Sequence, residues 1–279
     1  MRRISARILT ALVLLAAFTG CRKDGDALSV RFSALMADWD WDGVQTVNLP
    51  EGTAVGIIAS EPVNMPNVRA SVSGTDLVPE VPFYWAPGQE SITHFIAYAP
   101  YSPAMAGLPF DFSVREDQRT EEGLAASDFV SATAAVTRPH VVPLVLKHRL
   151  SKLVIRVVPT ADSGDVTSLT LRNAPRKGTL RTVNTAFSDV GDEGSVRTLN
   201  TAKNCFSAII MPSEVALSLL VETSRGKTLL CKFPSPTVFQ AGKVHNLSVN
   251  LSDATATADG VTFHLGVSDW SDGGNLPFS

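Results

Sequence analysis

Only three cysteines punctuate the 279 residues, and the first of them, Cys21, closes the N-terminal apolar stretch. The other two, Cys205 and Cys231, have no histidine nearby at ligand spacing, which excludes a zinc site built on them. No other metal site is expected. Positive charge is not in excess. Lys and Arg number 24 against 27 Asp and Glu, and the pI is near 6.0, so the basic footprint of a dedicated nucleic-acid binder is missing. Nineteen glycines and seventeen prolines are ordinary usage, which excludes collagen and low-complexity chains. Beyond the N-terminus no stretch reaches 18 uninterrupted apolar residues, the length that signals a membrane-spanning helix. Gly-x-Ser-x-Gly, His-Glu-x-x-His, Walker and Gly-x-Gly-x-x-Gly patterns are all lacking, so neither an enzyme nor a cofactor is expected. The adjacent Glu121 and Glu122 read as a solvated turn.

What is present at the N-terminus reads as an address. Arg2, Arg3 and Arg7 precede the apolar run Ile8–Phe18, too short to span a bilayer and right for an export signal, so residues 1–20 are taken as a signal peptide. Phe18-Thr19-Gly20-Cys21 resembles a bacterial lipobox. That implies Cys21 as the acylated (palmitate-bearing) first mature residue and a lipid-anchored place at the cell outer membrane. Acyl chains bury methylenes at about 0.8 kcal/mol each, enough in combination to anchor a chain without a transmembrane helix. The alternative is an ordinary secretory signal that leaves Cys21 as a spare thiol. Removing the signal leaves 21 basic against 27 acidic residues, near −6, which favours solubility and does not suggest binding to anionic lipid or DNA. Export also permits a disulfide between Cys205 and Cys231 if their Cα atoms come within about 7 Å; two buried free thiols are the other reading.

Elsewhere the pattern has period two. Leu28, Val30, Phe32 and Ala34 share a face, as do Val142, Leu144, Leu146, His148 and Leu150; Leu153, Ile155 and Val157 follow with the phase slipped by one residue. A uniform strand cannot slip without turning its apolar set to the other face, so a bulge or break is predicted at Ser151-Lys152. Leu169 and Leu171 lead towards a predicted turn at Arg176-Lys177-Gly178. Leu217, Leu219 and Val221 turn through Ser224-Arg225-Gly226 into Leu229, Cys231 and Phe233, a hairpin. His245 to Leu251 and Val261 to Val267 alternate again. Only residues 114–127 are compatible with a helix. The fold class is therefore all-β, with β-sandwich domains, and the length suggests about two of them. The Pro-containing Thr137-Arg138-Pro139-His140 marks the predicted seam, dividing the mature chain into 21–139 and 140–279.

Asp38-Trp39-Asp40-Trp41-Asp42-Gly43 has the alternating carboxylates that open a Ca²⁺ loop, but Leu49 stands where the twelfth-position glutamate belongs. It reads as an edge or loop segment whose charges deter aggregation, with one Trp packed. A rival reading makes Trp39 and Trp41 a platform for sugar rings. Of the histidines, His94, His148, His245 and His264 fall in strand patterns and His140 at the seam, places where imidazole serves structure.

Several pieces in order resemble the fimbrillin family of type V pilus subunits. They are the lipobox, Gly52–Ile58, Phe83-Tyr84-Trp85, His94–Tyr101, Asp117-Gln118 and Ser127–Val130. After these come Leu144–Ile155 with His148 before Ser151-Lys152, Ile210-Met211-Pro212, Phe239–Val244 and Val267-Ser268-Asp269-Trp270. The resemblance implies two tandem transthyretin-like sandwiches, a role in surface fimbriae and cell adhesion, and other fimbrial subunits as partners. It also implies assembly by strand donation after an arginine-specific protease removes an N-terminal strand. On this sequence the removable strand would be Leu28–Phe32, with Arg31 or Arg69 as the processing point. The donor would be Val261, Phe263, Leu265 and Val267. Arg31 lies inside the apolar alternation, so an uncleaved lipidated anchor or accessory subunit stands beside that reading. The alternative function is a monomeric surface lipoprotein that binds glycan or host protein.

Overall fold

The computed structural model describes residues 28–39, 45–105, 107–182, 187–233 and 236–251, together with the backbone of three short strands beyond them. The segment expected to be a signal peptide, residues 1–20, and Cys21 lie outside the described residues. Strands are numbered in chain order.

The first lobe comprises β1 (Phe32–Ala37), β2 (Thr46–Val47), β3 (Ala54–Ala59), β4 (Met65–Ser73), β5 (Asp76–Pro79), β6 (Thr93–Ala99), β8 (Val130–Val136) and β9 (Val142–His148). They hydrogen-bond in the order β2-β1-β5-β4-β3-β6-β8-β9, and β1 also pairs in parallel with β9, from Phe32↔Val142 to Met36↔Leu146. The sheet thus closes on itself around one apolar core. Alternation puts Phe32, Val55, Ile57, Phe95, Leu144 and Leu146 inside. Phe32 meets Phe83 and Phe95 edge-on at 5.2 and 5.4 Å, the geometry aromatic quadrupoles favour. Gly56 interrupts β3 for a steric reason: a Cβ there would stand 2.2 Å from the Tyr98 ring.

The second lobe is a sandwich. One sheet is β13 (Leu199–Ala202), β14 (Cys205–Ile210), β10 (Ser151–Val158), β19 (Val244–Asn250) and β22 (Gly266–Val267). The other is β12 (Ser188–Arg197), β11 (Val166–Leu180), β16 (Ser218–Thr223) and β17 (Thr228–Lys232). Leu153, Ile155, Leu171, Phe206, Leu219 and Leu247 interdigitate between them. Two small pairs complete the lobe: β15 (Ser213–Val215) with β18 (Thr237–Phe239), and β20 (Thr255–Thr257) with β21 (Gly260–Thr262).

The lobes are interleaved, which corrects the simple tandem order. After β6 the chain crosses to the second lobe, where β7 (Phe110–Ser113) pairs with β11 from Leu180↔Phe110 to Lys177↔Ser113. It returns through a single helical turn, Glu121–Ala125, whose Thr120 Oγ1 accepts the Gly123 N–H at 3.0 Å. The predicted seam is corrected too. Residues 137–140 form the bend of the β8–β9 hairpin, and β9 belongs to the first lobe, so the division at 139/140 moves to Arg149-Leu150, between β9 and β10. That break lies within two residues of the predicted one and accounts for the slipped phase: the alternation belongs to two strands in two lobes. Hairpin β16–β17 turns at Gly226 (φ +71°), as expected. No turn occurs at Arg176-Lys177-Gly178, where β11 runs straight through. Gly178 serves packing instead, since a Cβ there would meet Phe187 at 3.1 Å.

Candidate assembly surfaces

The strand that could leave a slot is β1, beginning at Phe32 rather than ending there. Its inward face, with the residues leading to it, buries Val30, Phe32, Ala34 and Ala37. One side is bonded along β9. The other pairs Phe32↔Leu77 and Ser33↔Asp76 on β5 and Met36↔Val47 and Ala37↔Thr46 on β2, with the Ala34 N–H donating to the Thr75 carbonyl at 2.8 Å and the Asp38 N–H to the Gln45 carbonyl at 3.4 Å. Upstream, the Val30 N–H donates to the Phe83 carbonyl at 2.9 Å and the Trp85 N–H to the Leu28 carbonyl at 2.8 Å.

The two arginines sit differently. Arg31 immediately precedes β1; its side chain is exposed and pairs with Asp76 at 3.6 Å, a surface contact worth at most about 1 kcal/mol. Cutting after it removes Leu28 to Arg31 and leaves all of β1 in place. Arg69 lies mid-strand in β4, opposite Gly56, and its carbonyl accepts the Glu80 N–H at 2.9 Å. Its guanidinium is 2.6 Å from Glu80. A protease must hold its substrate as an extended, unpaired strand. The backbone at Arg69 is already paired on both sides.

The C-terminal candidate donor falls partly on described backbone. Val261 lies in β21 and Val267 in β22, which among the described residues meets β19 through Leu247↔Val267 and Ser248↔Gly266; Phe263 and Leu265 lie outside the described residues.

The disulfide is not formed. Cys205 is half-buried on β14 and Cys231 is buried on β17 of the opposite sheet, and both are free thiols. Burial pushes the Cys231 thiol up to about 12. The sugar platform is corrected as well. The Trp39 ring stacks on His148 at 3.8 Å, and Lys152 Nζ stands 5.8 Å from the same ring. His148 Nδ1 in turn meets Asp128 at 2.9 Å. Asp40, Trp41 and Asp42 lie outside the described residues. Among the described residues no three His, Cys, Asp or Glu side chains gather in a metal-binding group.

Gln118 is the residue whose role the sequence did not reveal. Fully buried, it accepts the Ile209 N–H and donates to the Ile209 carbonyl, both at 2.8 Å, and donates to the Arg115 carbonyl at 3.1 Å. It fills the edge of β14 beyond the last residue that β13 pairs. Around it Tyr98, Met105, Phe129, Leu150, Leu180 and Met211 form a third core between the lobes.

These features define an all-β chain of two lobes joined through a shared core, and solved structures have the same fold. A candidate cell adhesion protein from Bacteroides ovatus is 14% identical, with 85% of this chain and 95% of that one covered, at a TM-score of 0.64. A second from Bacteroides uniformis is 18% identical over 87% and 99%, TM-score 0.61. The tip fimbrial protein Mfa3 from Porphyromonas gingivalis is 12% identical over 87% and 99%, TM-score 0.50. No curated protein matches the sequence. The family model described as fimbrillin-like matches residues 39–270, and the chain belongs to that family.

Proposed function

We propose that the chain is a fimbrial subunit anchored at the outer membrane through acylated Cys21, which keeps its own β1 and joins its neighbours by lending C-terminal strands. Family membership supports the fimbrial role. The observation that carries the finer reading is the position of Arg31, directly before β1. Trimming there leaves the slot filled, and cutting at Arg69 would take β1 to β3 and half of β4 out of the first core. A filled slot receives no strand, so this subunit ends the assembly on one side and donates on the other. Each lobe is read as a transthyretin-like sandwich.

The C-terminal strands are suited to donation because β22 holds the edge of β19 through two registered pairs. Inserting Val261, Phe263, Leu265 and Val267 into a neighbour's groove gains roughly 6–12 kcal/mol before association costs. It also pairs a sheet edge otherwise open to aggregation. Co-expression with fimbrial partners should give SDS-resistant heteromers that disappear when residues 255–279 are deleted. Heteromers that persist after the deletion would refute donation by this segment. Monomers alone, from cells and from purified fibres, would refute the fimbrial role.

A further inference from the structure

Among the described residues seven large apolar side chains are exposed, and four of them belong to one short region: Val78, Val81, Tyr84 and Ile92, each more than half accessible. The register of the first lobe places Tyr84 and Ile92 at the same end. Ala59↔Met65, Ala59↔Phe95, Thr93↔Val136 and Phe32↔Val142 mark that end. Ala54↔Ser71 and Val130↔His148 mark the other, where the second lobe begins. Val78 pairs with Ser71 within β5, Val81 and Tyr84 follow that strand, and Ile92 immediately precedes β6. Tyr84, beside Ser29 ahead of β1, and Ile92, ahead of the Thr93↔Val136 pair, therefore lie away from the second lobe, with Val81 three residues before Tyr84.

The chain enters at this same end. Ser29 bridges to Tyr84, and Leu28 accepts the Trp85 N–H. Six residues, Arg22 to Ala27, separate Leu28 from Cys21, a tether of at most roughly 25 Å when fully extended. Acyl chains on Cys21 would hold this end within that distance of the bilayer. The nearby charges do little to oppose contact: Arg31 is paired with Asp76 and Glu80 with Arg69, while Glu61 and Glu90 on adjoining loops make no ion pair among the described residues. Tyrosine, with an apolar ring and a polar tip, suits the headgroup layer.

We propose that the end of the first lobe bearing Val81, Tyr84 and Ile92 is a membrane-facing surface that rests on lipid headgroups when the chain is anchored. This rests on the lipid-anchored reading above. The contact is shallow and apolar, and it orients the molecule. β10 and β19 run away from the junction to Val158↔Asn250, so the C-terminal strands emerge at the end remote from the membrane, free to meet the next subunit.

The test uses the full acylated chain, carrying Cys205→Ser, in vesicles of phosphatidylethanolamine and phosphatidylglycerol with headgroup-nitroxide lipid. A fluorophore is attached at Tyr84→Cys or, at the far end of the second lobe, at Lys227→Cys. The label at 84 should be quenched severalfold more than the label at 227. Adding Val81→Ser and Ile92→Ser should weaken that quenching while intact mass still shows the acyl chains. Equal quenching at 84 and 227 in acylated protein would overturn the membrane-facing surface alone. An intact mass without acyl groups on Cys21 would overturn the anchored reading, and this surface with it.

Discussion

Gln118 shows how much one polar side chain can hold. It substitutes for a strand, satisfying both backbone groups of Ile209 where β13 no longer reaches. Gln118→Ala would leave a buried N–H and a buried carbonyl unpaired, at about 1–3 kcal/mol each. Urea unfolding should accordingly show a loss of about 2–4 kcal/mol, and an unchanged midpoint would contradict the assignment. The cysteines make a second prediction. In a Cys21→Ser chain at pH 8, maleimide should modify Cys205 and spare Cys231 until the protein unfolds, because burial keeps that thiol neutral. The sign for stability follows. A thiol raised from 9.0 to about 12 contributes fully below pH 9 and loses that contribution as pH climbs towards 12, since only the unfolded chain gives up the proton in that window.

At the scale of elements, β1 and β4 differ in what they offer a protease. The backbone at Arg31 bonds to Val142 on one side, next to an exposed side chain; the backbone at Arg69 is paired on both sides within a closed sheet. Limited trypsin digestion of the folded protein should cut at or before Arg31 and leave Arg69 intact, read by peptide mass. Early cutting at Arg69 would show that the first lobe opens more readily than its ladders imply. Much of this layer was legible. Period two gave the strands, Gly226 gave its hairpin, and the phase slip after Leu150 gave a break. The hidden part was partner choice. Alternation in Val142–His148 states which side chains point inward and says nothing of which sheet receives the strand, so Pro139 read as a linker when it marks a bend. For the same reason the parallel β1–β9 seam and the crossing of β7 left no local trace. The family-like pieces did locate something: Asp128, Phe129, His148, Ser151, Met211 and Gln118 all meet at the junction of the lobes. Ser151 Oγ donates to the Gln240 carbonyl there at 2.8 Å. From sequence they carried only the family resemblance, and their positions show that they join the two lobes.

On the scale of the whole molecule, that junction makes the lobes one unit. Phe129 is fully buried, with the rings of Tyr98, Phe110, Phe112 and Phe187 centred 5.1 to 6.2 Å away. Phe129→Ala should cost about 3–5 kcal/mol, and calorimetry should still show a single transition, because neither lobe loses the shared core alone. Two separated transitions would mean that the lobes fold independently. The proposed role depends on the same rigidity: a retained N-terminal strand at the membrane end and C-terminal strands at the far end, joined by a core that transmits load between them. Mass spectrometry of the N-terminal peptide, taken from protein recovered at the cell surface in fimbrial complexes, tests this most directly. An acylated Cys21 continuous through Arg31 into Phe32 is the expected result. A free N-terminus at Phe32 or Ala70 would contradict it.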